Sequence, residues 1–166
     1  MRRALIVIPI VLGLGLAGWL YTRPAQTSHN PKPSNSDIVS KDGIHWHPHL
    51  AIYIKGQQQV IPANIGIGQQ YSSSKWYDSM MDMTDFHTHD SSGELHWEVM
   101  QGPVTKEHVQ LKAFFEVWGK TFNSTQILDA KNGPDGTVRM TVNGHPNTEF
   151  ENYQVKDKDQ IEIRYE

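Results

Sequence analysis

The sequence predicts a mainly β, α+β domain built from antiparallel hairpins and one amphipathic helix. Three observations carry that prediction. Apolar and polar residues alternate at period two in several short runs, the mark of strands with one dry face. Turn-forming pairs, Lys55-Gly56 and Asn143-Gly144 among them, punctuate those runs. A helical stripe is confined to residues 104–118.

The first element lies outside that domain. After Met1-Arg2-Arg3 comes ALIVIPIVLGLGLAGWLY, residues 4–21, an uncharged run about as long as a bilayer-spanning helix needs to be. It closes on Trp19, Leu20 and Tyr21, not on the small residues of a cleavage site, so residues 1–21 read as an uncleaved signal-anchor. Arg2 and Arg3 then stay cytoplasmic, and the rest of the chain is expected on the extracytoplasmic side, periplasmic or at the cell surface. Residues 22–43 are rich in Pro, Ser, Asn and Thr and read as a flexible linker, in which His29 has no assigned role. Residues 44–166 are the expected extracytoplasmic, histidine-rich metal-binding domain. Beyond Arg23, 12 basic residues face 18 acidic ones, a formal charge of −6 that argues against a nucleic-acid partner. The chain has no cysteine, so no disulfide staples the fold and any metal must be held by His, Met, Asp or Glu.

In "IHWHPHLAIYI", residues 44–54, Ile44, Trp46, Leu50, Ile52 and Ile54 alternate with His45, His47, His49, Ala51 and Tyr53. Pro48 cannot donate to a ladder, so the histidine half is expected at an edge, at a bulge or as a lead-in. Lys55-Gly56 turns the chain into a return strand over "QQQVIPANIGI". Residues 69–84 show no period and read as loop. In "DFHTHDSSGELHWEV", residues 85–99, a four-residue turn would pair His89 with Glu94, His87 with His96 and Asp85 with Glu98, leaving Phe86, Leu95, Trp97 and Val99 on the dry side. Leu111, Phe114, Phe115 and Trp118 form the stripe of a helix over residues 104–118, with Thr105 as N-cap and Gly119 as its stop. His108 reads as a packing or exposed residue of that helix. The tail, "TVRMTV", Asn143-Gly144 and "QIEIRYE", gives the C-terminal half a β-grasp-like pattern, with His145 beside the turn facing solvent.

Six of the nine histidines fall in two segments, and in both they take the face opposite the apolar one. Residues i and i+2 of a strand are about 6.6 Å apart, close enough for two imidazoles to reach one ion at about 2.0–2.1 Å. His45, His47, His49, His87, His89 and His96 are therefore the candidate metal ligands, with Asp90, Glu94 and Glu98 near enough to orient ring N–H groups. Imidazole suits copper and zinc alike. Met80, Met81 and Met83 precede His87 and could add thioethers for Cu(I), although loop or core packing is the favoured reading of them.

The stretches "HWHPHLAIYIKG", "IPANIGI", "HTHDSSGELHWE" and "FFEVWGKTFNSTQ" together resemble an uncharacterised family of membrane-anchored, extracytoplasmic bacterial and archaeal proteins with HxHxHL, HTHDxxGxLHxE and FFxVWG motifs. The resemblance spans nearly all of residues 44–166. It implies export and a central role for the six histidines and names no reaction. Trp46 and Trp97 stand where aliphatic residues are expected.

Two functions follow from the residues. One is an anchored copper or zinc protein that captures, buffers or delivers the ion, its tether suited to docking on a membrane protein partner. The other is a mononuclear zinc or copper enzyme, in which three histidines leave a position open for water or dioxygen and Glu94 or Glu98 is the candidate base. No HExxH helix, nucleophile elbow or phosphate-binding glycine loop supports a hydrolase.

Overall fold

In a computed structural model the described residues are 35–166. The expected anchor, and the tether up to residue 34, lie outside them. Among the described residues no helix is long and apolar enough to cross a membrane.

The larger sheet has five strands in the order His145–Pro146, Val138–Val142, Gln160–Tyr165, His49–Ile54, Gln57–Gln59. Its two central strands, Gln160–Tyr165 and His49–Ile54, run parallel with Ile163 beside Ile52, and every other pairing is antiparallel. Two hairpins thus flank a central parallel pair, the strand order of a β-grasp. The pattern expected of the C-terminal half takes in the first hairpin as well. Alternation explains which face is dry: Leu50, Ile52, Ile161, Ile163, Tyr165, Val138, Met140 and Val142 are all buried. Asn143 and Gly144 both have positive φ, 52° and 79°, as a tight hairpin turn requires.

The helix is shorter than its sequence stripe, Leu111–Trp118 instead of 104–118. Its upstream backbone is committed elsewhere. Val104–Thr105 pairs with Ile38–Ser40, Lys106 N–H donates to the Asp37 carbonyl, and His108 Nδ1 accepts the Thr105 N–H at 3.3 Å. Gln110, not Thr105, is the N-cap, and Gly119 ends the helix in the left-handed region as expected. Leu111, Ala113, Phe114, Phe115 and Val117 are buried in the core they share with the sheet. Because Ile38–Ser40 is paired, the last residues of the segment read as linker are ordered.

The return strand is limited to Gln57–Gln59, and residues 69–84 hold only a 3-10 turn, Gln69–Tyr71, and a two-residue pairing of Tyr77–Asp78 with Met83–Thr84. A second sheet, Ile44–Trp46, His96–Val99 and Phe86–His87 in spatial order, carries His45, His87 and His96. Pro48 lies between the two sheets, buried and unable to donate, where the chain leaves the small sheet and enters the large one.

Candidate metal centre

The small sheet is aligned by its tryptophans. Trp46 pairs with Trp97 on one side and Phe86 with Trp97 on the other, which places His45 beside Glu98 and His87 beside His96. The same register continues past the named strands: Leu95 N–H donates to the Pro48 carbonyl at 2.8 Å, and His49 bridges Glu94. His47 therefore falls beside His96, their rings 4.8 Å apart and edge to face. One face of the central strand carries Glu94, His96 and Glu98, while the other buries Leu95 and Trp97 completely. Trp97 is fixed beneath the site by its Nε1 donating to the His108 carbonyl at 2.7 Å.

Of the three expected cross-strand pairs, His87 with His96 forms, and Glu98 N–H donates to the Asp85 carbonyl at 2.8 Å. His89 does not pair with Glu94. On both sides of His87 the chain is drawn to the loop "IPANIGI": Thr88 N–H donates to the Ile65 carbonyl, Asn64 N–H to the Thr88 carbonyl, and Thr84 N–H to the Gly66 carbonyl. That clamp is why Ile61 and Ile65 do not extend the return strand.

Two groups of side chains converge. In one, His45, His47, His96 and Glu98 each bring a donor atom within 4.8 Å of every other, and in the second His87, His89 and His96 do the same. His96 belongs to both. His87 is fully buried, and its Nδ1 donates to the Thr84 carbonyl at 3.1 Å. A carbonyl only accepts, so the ring proton sits on Nδ1 and Nε2 carries a lone pair. That Nε2 is the one buried side-chain nitrogen or oxygen without a hydrogen-bond partner among the described residues. Burial also pushes the His87 pKa down to about 4, against the opposing Thr84 carbonyl and Glu98, so the imidazole is neutral at pH 7. A buried acceptor left unpaired costs about 1–3 kcal/mol, and a cation is the partner that its geometry invites.

His96 is half-buried, and desolvation lowers its pKa against the pull of Glu98. His89 is exposed and turned edge-on to His96 with ring centroids 4.4 Å apart. Glu98 accepts from His45 Nε2 at 2.7 Å and lies 3.4 Å from His96 Nδ1, whereas Glu94 lies 3.5 Å from His96 Nε2 and is more exposed.

His49 joins neither group. Its Nε2 faces the Ser92 carbonyl at 3.0 Å, above Gly93, whose missing side chain leaves room for the ring. His108 packs on Trp76, and His145 is exposed. Met80 and Met81 line a separate cavity of about 560 Å³ with Met100, Trp76 and Asp85, and no histidine lines it. Desolvation, with Asp78 adding to it, raises the Asp85 carboxyl there to about 7.

Sequence reasoning did not single out Thr84, Gly66 or Asp157. Thr84 acts through its carbonyl and so leaves no side-chain signal. Asp157, in the charged run "KDKD", holds the His47 N–H through its Oδ1 at 2.9 Å. No protein-family model, no curated protein and no solved structure matches the chain.

Proposed function

We propose that this chain is a membrane-anchored, extracytoplasmic protein that binds a transition metal, copper or zinc, through clustered histidines and captures, buffers or delivers it. The observation that carries the reading is His87 Nε2: a buried, neutral, unpaired nitrogen in a group with His89 and His96. The donor set supports a borderline metal, since imidazole predominates and thiolate is absent. The apolar run of residues 4–21 and the resemblance noted above support the anchor and the extracytoplasmic placement.

Elemental analysis of the purified full chain, alone and as the His87→Ala, His89→Ala and His96→Ala variants, tests the reading. Copper or zinc bound by the parent and reduced or lost in the variants is the expected result. Metal retained undiminished in all three would sink it. Protease accessibility in intact cells tests the placement, with digestion of the domain from outside expected.

A second reading, a metal enzyme, is favoured by the exposure of His89, which opens the three-histidine group to solvent. There the metal would supply an activated water, and Glu94 or Glu98 would be the base beside it. An exchangeable water ligand on the loaded protein, together with hydration or hydrolysis of a carbonyl substrate, would favour it over the carrier.

A further inference from the structure

The two groups that can hold an ion meet in a single residue. We propose that His96 bridges two metal positions, one framed with His87 and His89 and the other with His45, His47 and Glu98, each ion taking one nitrogen of the same imidazole. This rests on the metal-binding reading above and specifies how many ions the site takes and how they are linked.

The geometry separates the two nitrogens. His96 Nδ1 faces Glu98, which in turn accepts from His45. His96 Nε2 faces Glu94, two residues away in the opposite direction along the same strand. His87 lies directly across from His96, its ring nearly parallel at 15° and 5.2 Å away. Its Nδ1 is turned back to Thr84, toward the end of the antiparallel pair where Glu98 stands, so its free Nε2 points toward the Glu94 end. His89 follows His87 at that end and meets the His96 ring edge-on. The inner trio therefore gathers on the Nε2 side of His96 and the outer set on the Nδ1 side.

The donor count agrees. Six side chains exceed the four ligands of one tetrahedral ion, but they divide into three nitrogens inside and three nitrogens with a carboxylate outside when His96 counts twice. With each bond about 2.0–2.1 Å, two ions on one imidazole are about 6 Å apart. Binding the first ion leaves the His96 ring proton on the other nitrogen. The second ion displaces that proton to solvent, converting imidazole to imidazolate. The two positions also differ in access. The inner one includes the fully buried His87, whereas His45 is exposed, so the outer ion exchanges faster.

The test is a titration of the full chain with Cu(II) at neutral pH, followed by bound-metal stoichiometry and electron paramagnetic resonance. The expected result is two copper ions per chain, with signal intensity rising through the first equivalent and falling through the second as the bridged pair couples. The paired change His45→Ala and His47→Ala alters a partly exposed edge and should stop uptake at one uncoupled ion. His96→Gln should abolish the coupling, and the His45/His47 variant keeps the test decisive if His96→Gln fails to fold. One copper per chain, or two whose signals simply add, would overturn the bridge while leaving metal binding intact. No copper at all would overturn both.

Discussion

At the scale of single residues, His87 is a side chain whose placement costs stability unless something occupies its lone pair. Replacing it with leucine of comparable bulk removes the orphaned Nε2 but also takes the Nδ1 donor away from the Thr84 carbonyl, two effects of opposite sign. The His87→Leu protein, free of metal, should therefore lie within about 2 kcal/mol of the parent, while binding in the group with His89 and His96 is lost. Urea denaturation with and without metal checks this, and a large loss of metal-free stability would mark His87 as a packing residue. Its titration has a definite sign. The folded pKa, about 4, lies below the ordinary histidine value, so the unfolded chain binds the proton first and stability falls as pH drops from about 6.5 to 4. Asp85 opposes it. Its folded value of about 7 lies above that of an ordinary carboxyl, so the folded chain binds the proton first and stability rises as pH falls through 7 toward 4. Each is worth up to about 3 kcal/mol. In chemical denaturation of the metal-free protein across pH 7 to 4, Asp85→Asn should lose more stability toward acid than the parent, and His87→Leu should lose less or gain.

At the scale of elements, the site is three short segments held in one register, and that much was readable from the sequence. The period-two spacing of His45, His47 and His49, of Glu94, His96 and Glu98, and the pairing of His87 with His96 all follow from alternation and a short turn. Pro48 marked the break between the two sheets. Less legible were features made by backbone contacts between distant segments. The helix start moved from Thr105 to Gln110 because residues 104–108 bond to Asp37, to Ile38–Ser40 and to one another. His49 left the cluster because the Ser92 carbonyl lies against its ring, and His89 left Glu94 because the "IPANIGI" loop draws Thr88 away. No local propensity encodes such partners. The loop supplies a prediction of its own. Gly66 has φ +78°, and a Cβ there would meet Thr84 Oγ1, the Phe86 carbonyl at 2.5 Å and His87 Cβ at 3.2 Å. Gly66→Ala should cost roughly 1–3 kcal/mol from backbone strain alone and also weaken metal binding, because the obstruction lies against the His87 strand. Gly56, with φ +79° and open space within 4 Å of where a Cβ would stand, is the control: alanine there strains the turn and leaves metal affinity unchanged. Denaturation midpoints and chelator competition for the two variants distinguish these outcomes.

At the scale of the whole molecule, the candidate metal site and the large sheet are parts of one chain path. The strand His49–Ile54 is central in the large sheet, His45 precedes it in the small one and His47 in the connection between them, with His47 N–H held by Asp157 and His49 N–H by the Asp159 carbonyl. Asp159 is itself buried and fixed by Tyr153, Asn143 and the Lys156 N–H. The other candidate ligands, His87, His89 and His96, lie in the long connection between the first hairpin and the helix. An ion held there would tie together segments that are far apart in sequence, and the unfolded chain cannot present the same set. Ligand that binds only the folded state stabilises it by mass action, by about 2.7 kcal/mol at a free concentration 100 times the dissociation constant. For a domain of this size that corresponds to a rise in melting temperature of roughly 10 °C. Thermal denaturation of the parent with zinc or copper should show the rise, and an added chelator should reverse it. His87→Leu should lose most of it, whereas His145→Ala, a change in an exposed hairpin outside both groups, should keep it in full. A shift that survives in full when His87→Leu is combined with His45→Ala and His47→Ala would place the ion somewhere other than these histidines.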